Sequence, residues 1–128
     1  MKRTRSIFRR RAATVKRLAP KLRVGLIVGD PEDFPKQRNF AMCGLVRPAF
    51  AEIIVAPKIE SEPDEVIDAL LRHELAHAVL LFRGQRGHSE RDADAFAEVV
   101  WGDRIRYDAR DVQTLAPGKW PRPGYLPE

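Results

Sequence analysis

The stretch LLRHELAHAVLL, residues 70–81, constrains this chain more than any other: it is apolar on almost every side, yet it carries His73, Glu74 and His77 in its middle. Val66, Ile67, Leu70, Leu71, Leu75, Ala78, Val79 and Leu81 cover most of the circumference of a helix, the pattern of a helix buried between other elements. Ionisable groups in such a helix need a compensating partner, because burial of an unsatisfied charge is costly. In an α-helix, residues four apart lie one above the other, so His73 and His77 project from one face and can grip a single metal ion. Glu74, one step around, can reach a water at that ion without ligating it. With three His and nine Glu in 128 residues, a shuffled chain shows H-E-x-x-H with a probability of roughly 0.005. Hydrogen-bonded core histidines or a wet helix face are the plainer alternatives, and they do not account for this spacing.

The rest of the chain reads as the scaffold for that helix. At 128 residues one domain is expected; 44% hydrophobic with 32% charged residues suits a soluble globular protein, and the longest apolar run is far short of a membrane span. Phe8, Ala12, Val15 and Ala19 recur at helical spacing and predict an amphipathic N-terminal helix ending before Pro20, packed as a lid on a sheet. LRVGLIV predicts a strand at 22–28, and FAMCGLV and AEIIVAP a hairpin of strands near 40–46 and 51–56, separated from the first strand by a turn-rich loop. Ser61, Pro63 and Asp64 mark the start of the central helix at about residue 62, and Gly84 marks its end. A second helix is expected from Ser89 to Trp101, stopped by Gly102, and RIRY suggests one short strand. The chain then divides into a basic N-terminal arm at 1–21, an α+β core at 22–108 and a Pro-rich tail at 109–128.

Charge is uneven. Residues 1–29 hold ten Lys or Arg and no acid, so the net charge of +5 belongs to this arm. Such an arm can contact nucleic-acid phosphates or an acidic protein surface, or can simply be a solvated helix face. The N-terminus lacks the apolar core of a signal peptide, and the lone Cys43, read as a small strand hydrophobe, suits a reducing compartment, so a cytoplasmic location is expected.

A catalytic zinc site uses three protein ligands and one open position, so two histidines are incomplete. GHSERDADAFAEVVWG offers His88, Glu90, Asp92 and Asp94. Glu90 and Asp94 are four apart, so one can reach the metal while the other approaches a ligand histidine, and Ala93 and Ala97 are small enough to let this helix approach the first closely. These features favour Glu90 as third ligand. His88 and the acids also fit a loop histidine and solvated first-turn carboxylates.

H-E-L-A-H, followed by E-R-D-A-D-A-F-A, resembles a gluzincin and, among these, the compact ImmA/IrrE family, over residues 52–101. The resemblance implies a zincin-like fold in which His73, His77 and Glu90 bind one zinc ion, Glu74 is the general base and Asp94 orients a ligand histidine. It also implies a cytoplasmic metallopeptidase of the kind that cuts repressor proteins in bacteria, phages and other mobile elements. The 128 residues leave no room for the helix-turn-helix domain that some members carry. EIIVAPKI before the motif and RGHSE after it are similar to SprT-like proteases, in which His88 would be the third ligand and DNA-associated proteins the substrates. Tyr107 is the expected oxyanion partner, with His88 and Arg104 as alternatives. By the same resemblance, residues 40–46 form the substrate-facing edge of the sheet and the following strand its inner neighbour. A pseudoenzyme holding zinc for structure, or a basic nucleic-acid-binding or protein-interaction module, is the non-catalytic alternative. Glu74 argues against these, since a structural site has no use for a base.

Overall fold

A computed structural model describes residues 1–34 and 40–102 of the protein. Within them the chain forms a small α+β fold of three α-helices and a three-stranded sheet: α1 (Lys2–Leu18), β1 (Arg23–Val28), β2 (Ala41–Arg47), β3 (Phe50–Val55), α2 (Asp64–Phe82) and α3 (Glu90–Trp101), with 3-10 turns at Pro31–Asp33 and Pro57–Ser61. None of the described helices is long and apolar enough to cross a membrane. The expected strand around RIRY and the tail at 109–128 lie outside the described residues, as do Arg104 and Tyr107.

The hairpin register sets which side chains meet the helices. β3 is central, antiparallel to β2 and parallel to β1, so the order is β1-β3-β2 and β2 is an edge, as expected. Because strand side chains alternate, Ala51, Ile53 and Val55 share one face with their partners Ala41, Cys43 and Leu45 on β2 and Val24, Leu26 and Val28 on β1. That face packs into the main core with α1 and α2. The opposite face carries a smaller cluster of Phe34, Met42, Ala56 and Ile54. A register shift between Leu45 and Arg47 leaves Val46 exposed beside the hairpin turn.

Fifteen of the nineteen residues of α2 are buried, which explains the apolar run around its whole circumference. It lies beneath β2 and β3, with α1 on one flank and α3 on another. Its start differs from expectation. Ser61 ends the preceding 3-10 turn, Pro63 occupies the N-cap position and no side chain caps it. Asp64 and Glu65 in its first turn still complement the helix dipole. Gly84, at a φ of 82°, ends the last turn in the left-handed region that favours glycine.

The N-terminal helix also departs from its expected place. α1 packs chiefly along α2 and meets the sheet mainly at β1, rather than lying over the sheet as a lid. Its buried stripe of Thr4, Ile7, Phe8 and Val15 joins the main core. Two arginines fix the register of the helix pair. Arg11 donates to both carboxylate oxygens of Asp68 at 2.6 and 2.9 Å, and Arg3 reaches Asp64 at 2.6 Å. Thr4 donates its hydroxyl and its backbone N–H to Glu60 Oε1, and these bonds hold the Glu60 carboxyl down at about 2. Part of the basic arm is therefore structural.

Candidate metal centre

Two helices build the centre. α2 supplies His73 and His77 one turn apart, and α3 begins at Glu90 with Asp94 one turn further on. The close approach of α3 to α2 has a clear local cause: Ala69 and Ala76 face Ala93 and Ala97, all essentially fully buried, so no side chain larger than a methyl separates the backbones there. The start of α3 is fixed by a reciprocal cap, in which Asp92 N–H donates to Ser89 Oγ at 3.0 Å and Ser89 N–H to Asp92 Oδ2 at 2.9 Å. Asp92 thus serves the cap. Gly102 closes the helix at a φ of 76°.

His73 Nε2, His77 Nε2 and Glu90 Oε1 converge. Glu90 Oε1 lies 2.8 Å from each imidazole nitrogen, and the two nitrogens are 3.1 Å apart. These three side chains form a group able to hold a metal ion among the described residues. With zinc–nitrogen distances of about 2.0–2.1 Å, tetrahedral ligands stand roughly 3.3 Å apart, so opening by a few tenths of an ångström suffices. The donor set fits an ion of borderline character such as zinc.

The outward ring nitrogens are also held. Asp94 Oδ1 accepts the Nδ1–H of His73 at 2.7 Å, which directs Nε2 toward the centre. On the other side, Gln85 carbonyl oxygen accepts the Nδ1–H of His88, and His88 Nε2 accepts the Nδ1–H of His77, each at 2.5 Å. This chain of bonds leaves the Nε2 lone pair of His77 facing Glu90 and His73. His88, an alternative third ligand in the sequence, thus meets His77 from behind and is not among the three converging donors.

Burial and the mutual contacts of the three donors shift their protonation in different directions. Burial alone would lower the His73 pKa, but hydrogen bonds to Asp94 and Glu90, with the nearby charge of Glu74, raise it to about 10. Burial dominates at His77 and lowers it to about 4. Glu90 is pushed up by burial, yet the hydrogen bond and the charge of His73 bring it below its ordinary value. The resting arrangement is a His73 imidazolium and a Glu90 carboxylate beside a neutral His77.

Glu74 is fully buried on α2 next to His73. Cys43 on β2 is also fully buried, and its thiol is raised well above its usual value by burial, then by the charges of Glu74 and Glu90. The edge strand β2 packs against α2, where residues 40–46 were expected to lie, while the exposure of Cys43 to these two charges was not legible from a lone strand cysteine. The role of His88 against His77 was equally hidden; the three-residue step from Gln85 to His88 was its one local trace.

No protein-family model, curated protein or solved structure matches this chain.

Proposed function

We propose that the protein is a zinc-dependent metallopeptidase of compact, zincin-like build, closest in pattern to the ImmA/IrrE-type gluzincins. The observation that carries this reading is the convergence of His73 Nε2, His77 Nε2 and Glu90 Oε1 beside the buried Glu74. Three donors suit a catalytic site with an open position; a structural site is usually closed by a fourth. His88 behind His77 disfavours the SprT-like alternative, which needs it as a ligand.

Zinc held by His73, His77 and Glu90 would supply Lewis acidity toward a peptide carbonyl. Glu74 takes the proton of the attacking water and returns it to the departing amine. Asp94 and His88 hold the two imidazoles with their Nε2 atoms inward. A substrate strand is expected along the outer edge of β2, which no described strand occupies, with its scissile carbonyl over the centre. The proposed setting is the cytoplasm of a bacterium or its mobile elements, with a repressor or DNA-associated protein as substrate.

The test is direct. Protein refolded or purified with zinc should hold about one ion per chain, and Glu74→Gln should retain the ion while losing hydrolysis of a peptide library. Failure to take up zinc, or hydrolysis that survives Glu74→Gln, would overturn the reading.

A further inference from the structure

We infer that the cleft between α1 and the edge of β1 that no described strand pairs is a docking groove for an extended acidic segment of a partner protein, which joins β1 as an added strand. This surface lies on the side of the sheet away from β2 and does not depend on the metal centre.

Backbone geometry provides the first argument. Arg23 N–H donates to Ala49 carbonyl oxygen and Gly29 N–H to Val55 carbonyl oxygen, both at 2.9 Å. In a parallel ladder, alternate residues bond to the same neighbour, so residues 23, 25, 27 and 29 face β3. Val24, Leu26 and Val28 consequently turn their N–H and C=O groups toward the open side, where no described strand pairs with them. An open row of this kind is a template for strand addition.

The second argument is the groove itself. One cleft of about 400 Å³ has Ala12, Val15, Leu22 and Val24 as its apolar lining, with Lys16 and Arg23 among its walls. A neighbouring cleft of about 290 Å³ is lined by Phe8 and Leu26 with Arg5 and Arg9. α1 thus covers β1 incompletely, and Val24, Leu26 and Val28 remain half-buried.

Charge selects the occupant. Arg3 and Arg11 are taken up by Asp64 and Asp68 on α2. Arg5, Arg9, Lys16 and Arg23 are exposed, and no described carboxylate pairs with them; Arg9 bonds only the Arg5 carbonyl oxygen, and Arg23 lies 6.0 Å over the Phe50 ring. An apolar floor, a row of peptide donors and acceptors and an unneutralised cationic rim match a segment that mixes apolar and carboxylate side chains. A nucleic acid would use the cations but neither the apolar floor nor the strand edge.

The full chain should bind a blocked, fluorophore-labelled eight-residue peptide alternating Val and Glu, followed by fluorescence anisotropy. Salt should weaken the binding, and Arg5→Glu with Arg9→Glu should weaken it by about tenfold or more while helical circular dichroism stays unchanged. The Val-Lys analogue should not bind. Methylating the peptide nitrogens on one of the two alternating sets should abolish binding, because only one set bonds β1. The inference is overturned by binding that survives the double reversal or both methylations, by no binding of the Val-Glu peptide, or by reversal-sensitive binding of a DNA duplex in its place.

Discussion

Replacing Ala93 by Leu tests whether the alanine seam sets the position of Glu90. Ala93 is fully buried against α2, in a cluster with Ala69, Ala76 and Ala97. Leucine adds three carbons where no space exists. If the seam cannot yield, overpacking costs about 1–3 kcal/mol. If α3 yields instead, the interaxial spacing, which is about 8–10 Å and follows the side chains at the contact, grows by roughly 1 Å. Metal ligands must stay within about 0.2 Å of their distances, so a shift of that size removes Glu90 from reach of an ion held by His73 and His77. Zinc affinity should then fall by more than the roughly 10–100-fold that follows loss of an outer hydrogen-bond partner. The measurements are competition with a chromophoric chelator and thermal unfolding, where the melting temperature should drop by roughly 5–10 °C. Val99→Leu, at a position 82% exposed on the same helix, should change neither. A lower melting temperature with unchanged zinc affinity in Ala93→Leu would refute the argument that this contact places the ligand.

Asp94→Ala should reduce zinc affinity by about 10–100-fold, and His88→Ala by less, because the carboxylate is the stronger acceptor; both follow from chelator competition, and equal effects would contradict the bonds described. Zinc binding at pH 7 should release about one proton, that of His73, with affinity rising about tenfold per pH unit between pH 7 and 9, measurable by calorimetry in buffers of different ionisation enthalpy. For the metal-free protein the signs differ between the two histidines. The raised His73 contributes stability that is complete below its unfolded value near 6.5 and is lost as pH rises through about 10, whereas the lowered His77 contributes stability present above 6.5 and lost as pH falls toward about 4. These two groups therefore favour greatest apo stability near pH 6.5, read from denaturant midpoints across pH. Asp68→Ala removes the carboxylate that faces both Arg11 and the buried Arg72, at 2.6 and 3.1 Å, and should destabilise the fold by about 3 kcal/mol in urea titration without changing the metal ligands.

Local features of the chain were legible in the sequence because they depend on near neighbours. Helical spacing placed His73 and His77 on one face, Ser89 marked the start of α3, to which the structure adds the reciprocal cap with Asp92, and Gly84 and Gly102 stop helices through left-handed geometry. Short apolar runs bounded by turn residues located all three strands, and β2 proved to be an edge. Contacts between residues far apart in sequence were not legible. Arg11 meets Asp68 across 57 positions, one of the long-range contacts that accompany the packing of α1 along α2. His88 and Glu90 are two residues apart with similar claims on an ion, and only the seating of α3 against the alanines of α2 turns Glu90 inward and His88 to the back of His77. Spacing along one helix determined where two ligand-type side chains would stand together; which third side chain joined them depended on how two helices pack, a matter of side-chain volume across an interface that no local pattern encodes.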